Sequence, residues 1–369
     1  MRQRWDWDEL SEHVDLPYRG SLAKQHIRDL SGSQMSVLTI RNGNLSFTVL
    51  PERGMDIGEI FLGEEKVSWD RNNDYFLHPD RVNLQESKGT GWLKGFYGAV
   101  SSIGPELFGT PGEGYTLHGT GSYSPAFMQS IFVGYDETGI TFEGTVTVRG
   151  YADIPVFEKR IRMVTHWGSE CILREETTRN VSDTEQTLDD GYHIQLSGPF
   201  MHEGGRYILP LPRDEMLLRD SAELEEDPLR IPCRSQGATS IRCYQYVPGA
   251  VDGLHSIADI GSYVSTFDSR RGITAEMIVN DHRSAAGFVI RPLSCFPRSL
   301  IAKEISDSFM FAFEPCRTRP NRMSQKHADG EAFVLSSGLS DTTQCLIGAT
   351  RDIGKIEVLE QAISQAAIR

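Results

Sequence analysis

Polar and apolar residues alternate along much of this chain with the two-residue period of β-strands. Ile140, Phe142, Gly144, Val146 and Val148 take every second position, so a strand there buries one face and wets the other. It follows Asp136-Glu137-Thr138-Gly139, a turn composition. Residues 35–40 and 45–50 are two more strand-like runs, and the Asn42-Gly43 between them is a strong hairpin signal. Residues 156–164, 171–179, 262–267, 273–279 and 308–313 continue the strand pattern. Helical spacing is rarer: residues 5–14 and 21–30 are candidates, and Ile356, Leu359, Ile363 and Ala367 form an apolar stripe near the carboxyl end.

The 35 glycines and 17 prolines punctuate the chain as turns between many short strands do. No internal repeat and no low-complexity linker interrupts it. Residues 210–236, rich in charge and proline, read as a long surface loop or insertion. The pattern predicts a mainly β, antiparallel sandwich. A helical appendage is expected over residues 1–34, one large domain over 35–350, and a helix over 351–369 packed on that domain.

A chain of 369 residues could hold two domains, but all-β domains often run long as one unit. The net charge of −14, from 37 basic and 51 acidic residues, argues against nucleic acid as a partner, because phosphate backbones are bound through basic patches. A small anion held by a few arginines stays open. The start, Met1-Arg2-Gln3-Arg4-Trp5, lacks the apolar core of a signal peptide, and no apolar run approaches the ~20 residues of a spanning helix. Six cysteines occur without a CxxC pair and are expected to be reduced. The cytoplasm is the expected compartment.

Three short motifs carry candidate chemistry: Leu117-His118-Gly119, Gly191-Tyr192-His193-Ile194-Gln195 and Phe311-Ala312-Phe313-Glu314-Pro315. Two histidines and a glutamate are the parts for general acid–base catalysis without a cofactor. They lie far apart in sequence and can meet only inside one large domain. The chain has no GxGxxG, GxxxxGK[ST], HExxH or GxSxG motif and no Cys/His cluster at zinc spacing. A metal face built from His118, His193 and Glu314 is chemically reasonable but is the minority reading.

With Pro51-Glu52-Arg53-Gly54-Met55-Asp56 upstream and Phe313-Glu314-Pro315-Cys316 downstream, these motifs occur in an order that resembles the aldose 1-epimerase, or galactose mutarotase-like, superfamily over about residues 35–350. The resemblance is closest to an uncharacterised bacterial branch, a domain-of-unknown-function family. It implies a galactose mutarotase-like β-supersandwich whose concave face binds a monosaccharide. It also implies anomer interconversion, with Glu314 as base, His193 as acid and His118 binding or polarising the sugar. Arg53 then holds sugar hydroxyls, Asp56 orients Arg53, and Asp281 falls where a sugar-binding aspartate is often found. The fold also hosts lyases and non-catalytic sugar-binding domains, which remain the alternatives.

The residues themselves add to this picture. Phe313 and Pro315 should desolvate Glu314 and raise its basicity. Trp92 and Trp69 could stack on a sugar ring or simply fill the core. Arg317, Arg319 and Arg322 form an unusual basic cluster for an acidic chain. If they face the pocket the substrate is anionic, since guanidinium grips oxyanions in a bidentate fork; otherwise they pair with carboxylates. The expected partner is a monosaccharide or sugar derivative, with no nucleic acid, membrane, metal or organic cofactor, and with a homodimer left open.

Overall fold

A computed structural model describes residues 3–29, 31–70, 77–211, 215–218, 227–234, 241–306 and 308–367. Two antiparallel sheets dominate it. The nine-stranded sheet runs in space through Gln3–Asp6, Phe132–Tyr135, Gly139–Arg149, Pro155–His166, Cys171–Asn180, Ser340–Thr350, Ala286–Pro292, Ile273–Val279 and Arg206–Ile208. The twelve-stranded sheet runs through Leu217–Leu218, Ile241–Tyr246, Arg298–Glu304, Met310–Cys316, Gly191–Ile194, Val100–Ile103, Asp56–Leu62, Leu45–Leu50, Gln34–Asn42, Gly20–Arg28 and His13–Leu16. Glu65–Lys66 adds to it beside Asp56–Leu62.

The alternation read in the sequence builds this sandwich. Ile140, Phe142, Val146 and Val148 are buried in the central core, where they join Leu38, Ile40 and Phe47 of the other sheet. Asn42-Gly43 makes the expected hairpin, with Asn42 paired to Leu45 and Gly43 at φ +61°. Behind the nine-stranded sheet lies the carboxyl-terminal helix Ile353–Ala366, capped by Asp352 accepting from the Lys355 N–H. Ile356, Leu359 and Ile363 are fully buried under it, each worth about 1.5–3 kcal/mol of transfer free energy.

Two expectations fail. The first 34 residues are not a helical appendage: Gln3–Asp6, His13–Leu16 and Gly20–Arg28 are strands of the two sheets. Gly20–Arg28 pairs with Gln34–Asn42 from Gly20 opposite Asn42 to Arg28 opposite Gln34. Asp29 closes the turn by accepting from the N–H groups of Ser31 and Ser33. Cross-strand pairing with the next strand outweighs local propensity here. Residues 262–267 are not a strand either. Gly261–Val264 forms a single helical turn, fixed where Tyr263 stacks on His166 at 4.0 Å and its hydroxyl accepts from the His166 N–H.

Within residues 210–236, Leu217–Leu218 is a short strand, while residues 212–214, 219–226 and 235–236 lie outside the described residues. No helix among the described residues is long and apolar enough to cross a membrane.

Candidate active site

On the strand Met310–Cys316, side chains alternate between two environments. Phe311 and Phe313 enter the central core, whereas Met310 and Ala312 face an outer layer containing Trp69, Trp92 and Phe96. Glu314 shares the outer face. Phe313, its sequence neighbour, packs into the central core on the opposite face, and Glu314 is 4% exposed. The neighbouring strand Gly191–Ile194 pairs Gly191 with Cys316 and Ile194 with Phe313. Counting inward, His193 lies directly across from Glu314, and cross-strand partners share a face. His193 Nε2 is 3.8 Å from Glu314 Oε1. That is too long for a hydrogen bond, so neither group is spent on the other.

Aromatic rings close over the pair. Phe96 meets His193 edge-on at 4.7 Å and stacks with Trp92 at 4.7 Å. Trp92 meets His118 at 4.8 Å, and the two imidazoles are 6.3 Å apart between centroids. His118 is presented by a strained turn, with φ +59° at His118 and +67° at Gly119. A side chain at 119 would meet Glu106 Oε2 at 2.7 Å and the Gly104 carbonyl oxygen at 2.9 Å, so only glycine fits. Glu106 holds the following residue through the Thr120 N–H at 3.1 Å.

Burial holds His193 neutral by pushing its pKa down to about 3. Gln195, two residues on and on the same face, sets its tautomer. The Gln195 amide nitrogen is satisfied when it donates to the carbonyls of Gly98 (3.1 Å), Ala99 (2.7 Å) and His193 (2.9 Å). Its oxygen then accepts from His193 Nδ1 at 2.9 Å, which leaves a lone pair on Nε2, facing Glu314.

Arg53 and Asp56 lie one layer away. Arg53 is fully buried and donates to the Gly95 carbonyl at 2.6 Å; its Nε and Nη2 have no hydrogen-bond partner among the described residues. Its guanidinium sits over the Tyr123 ring, and the Tyr123 hydroxyl donates to the Trp92 carbonyl at 2.6 Å. Trp92 Nε1 likewise lacks a partner among the described residues. Asp56 accepts from the Ser102 N–H and the Ser122 hydroxyl. Burial pushes its carboxyl up, against the pull of Arg174 and Arg53.

The profile of the DUF4432 family, described as a domain of unknown function, matches residues 32–230. The chain belongs to this family. No curated protein matches it. Among solved structures, a candidate aldose 1-epimerase from Klebsiella pneumoniae superposes with a TM-score of 0.82 at 18% identity, covering 99% of this chain and 92% of that one. A galactose mutarotase-like protein from Clostridium acetobutylicum gives 0.58 at 13% identity, covering 89% and 99%. A galactose mutarotase-related enzyme from Lactobacillus acidophilus gives 0.53 at 12% identity, covering 85% and 97%. Likeness at these identities establishes a shared fold: this DUF4432 member is a mainly β, galactose mutarotase-like sandwich.

Two expected sugar contacts lie elsewhere. Arg317 is held between Asp190 and Asp341, each 2.7 Å away, and covers Phe333. Arg319 pairs with Glu331 at 2.6 Å, and Arg322 precedes the helix Met323–Ala328 with its guanidinium against Gly112. Carboxylates neutralise the first two arginines, so the motive for an anionic sugar falls. Asp281 sits in an exposed turn against His202 and His282. The metal face of His118, His193 and Glu314 gains no support either. Among the described residues, the group of three such ligand atoms within 4.8 Å of one another is His202, Asp281 and His282.

Proposed function

We propose that this protein is an aldose 1-epimerase-type isomerase that interconverts the anomers of an uncharged monosaccharide. The observation that carries this reading is the cross-strand pair of His193 and Glu314, 3.8 Å apart under Trp92 and Phe96 and beside His118. Ring opening removes the proton from the anomeric hydroxyl, breaks the bond from C1 to the ring oxygen, and protonates that oxygen. Rotation about C1–C2 and reclosure on the other carbonyl face return both protons. The balance needs one proton held between an acid and a base, and no electron carrier.

The hydrogen on His193 Nδ1 favours one division of the two roles. A neutral His193 with its hydrogen on Nδ1 can only accept at Nε2. In this division His193 takes the anomeric proton at Nε2 and Glu314 carries the proton passed to the ring oxygen; reclosure runs the transfers backward. This inverts the division implied by family resemblance, in which Glu314 is the base. The Nε1 donor of Trp92, unpaired among the described residues and beside His118 and His193, suits a sugar hydroxyl oxygen.

The direct test is NMR exchange spectroscopy of anomer interconversion across a panel of neutral hexoses and pentoses. A protein-dependent rate increase on at least one sugar is expected. Saturable binding of a sugar with no gain in exchange rate would sink the isomerase reading and leave a sugar-binding protein.

A further inference from the structure

We propose that His202, Asp281 and His282 form a divalent transition-metal site of the Zn²⁺ class. His202 follows the loop at Gly198-Pro199, and Asp281 and His282 occupy the turn between the strands Ile273–Val279 and Ala286–Pro292. His202 Nε2 is 3.6 Å from Asp281 Oδ1, and His282 Nε2 is 3.6 Å from Asp281 Oδ2. Neither separation is a hydrogen bond. The two contacts use different oxygens of Asp281, and one donor atom from each of the three residues lies within 4.8 Å of the other two. That is within a side-chain rotation of the about 3.4 Å that separates donors on one tetrahedral ion with bonds near 2.1 Å. Two imidazoles and a carboxylate suit zinc and its neighbours, not the oxygen-seeking Mg²⁺.

The donors are held in place by the backbone. Asn280, which opens the turn, is 6% exposed, and its side-chain oxygen accepts from the N–H groups of Ser284 and Ala285. Asp281 Oδ1 accepts from the His282 N–H at 2.9 Å, which aims the carboxylate. The other loop docks through Gly204, where a Cβ would come within 3.1 Å of the Asp281 Cβ. Gly205 N–H in turn donates to the His202 carbonyl at 3.2 Å. Two loops distant in sequence thus present three ligands at one point with their side chains still reachable: His282 is 76% and His202 51% exposed.

The site edges a cavity of about 430 Å³ that His202 lines together with Trp69, Glu203, Arg234 and Ser308. Trp69 stacks on Phe96, and Phe96 abuts His193, so the cavity and the candidate active site share an aromatic wall. Three protein ligands leave a tetrahedral ion one position for water or for an oxygen of a ligand in that cavity.

Isothermal titration of the EDTA-dialysed full chain with ZnCl₂ tests this independently of any isomerase activity. One equivalent should bind with micromolar or tighter affinity, and Asp281→Asn and His282→Ala should each weaken it at least about tenfold, as loss of a ligand does. Circular dichroism should show both variants folded, since the positions are exposed. Three results would overturn the proposal: no zinc uptake, unchanged affinity in both variants, or an equal response to MgCl₂. Loss of the site in Cys233→Ser, whose thiol lies against Glu203, would overturn it as well, by placing the ion on that cysteine.

Discussion

Two histidines and one carboxylate occur twice in this molecule, and the two sets differ in almost every other respect. His118, His193 and Glu314 sit on the outer face of the larger sheet under Trp92 and Phe96. His202, Asp281 and His282 stand on exposed turns. In the first set, desolvation and a hydrogen bond from His193 to Gln195 govern where protons reside. In the second, one donor atom from each residue lies within 4.8 Å of the others, and all three residues are exposed. Residue type alone does not choose between proton transfer and metal binding; burial and spacing do.

The sharpest way to break the comparison is to remove each set in turn. Glu314→Gln and His193→Asn should each lower anomer exchange by ~10²-fold or more, the typical loss for a general acid or base. Asp281→Asn should leave it within about twofold of wild type, since Asp281 stands on an exposed turn whose contacts are His202 and His282. NMR exchange rates on the best sugar decide this, and equal losses at both sets would merge them into one site.

Acid titration should separate the sets by stability. The native pKa of His193 is depressed from 6.5 to about 3. Above pH 6.5 the group is neutral in both states and its contribution is intact. Between 6.5 and 3 the unfolded chain takes up a proton that the native state refuses. Stability is therefore lost as pH falls through that window, by at most about 1.4 kcal/mol per unit. Urea unfolding at pH 7, 6 and 5 should show a shallower decline in His193→Asn than in wild type. Parallel slopes would mean that His193 is not held neutral by the fold.

A smaller effect tests the tautomer. Gln195→Leu strands the His193 Nδ1 proton and should cost about tenfold in kcat, the cost of one unsatisfied buried donor. Because the proton can then move to Nε2, the pH profile of kcat should also shift. A loss of folded protein with an unchanged profile would make Gln195 merely structural. Smallest of all, Trp92→Phe removes one free N–H donor while keeping the aromatic cover. KM should rise several-fold with kcat nearly constant, as expected for a neutral hydrogen bond of ~1 kcal/mol.

Much of this was legible in sequence because short motifs sit on regular strands. His193 and Glu314 were found from their flanking residues, and the two-residue period could also have found Gln195, which must share a face with His193. What escaped depended on partners outside the segment being read. Residues 20–28 look indifferent until residues 34–42 pair with them. Arg317 looked like an anion ligand because nothing local shows that Asp190 and Asp341 flank it. Asp281 was assigned by position in a family order, while its real neighbour His202 lies on a separate loop.

The cross-strand placement of His193 and Glu314 also sets a limit on dissection of the gene. The DUF4432 match ends at residue 230, so a fragment cut at that boundary keeps His118, His193 and Gln195. It discards Met310–Cys316, the strand lying alongside Gly191–Ile194, and leaves an unpaired edge where Glu314 belongs. The two parts of the site are thus separable on paper and inseparable in the folded chain. Truncated clones would keep His193 without its cross-strand partner Glu314, and swaps between relatives need to carry both strands together.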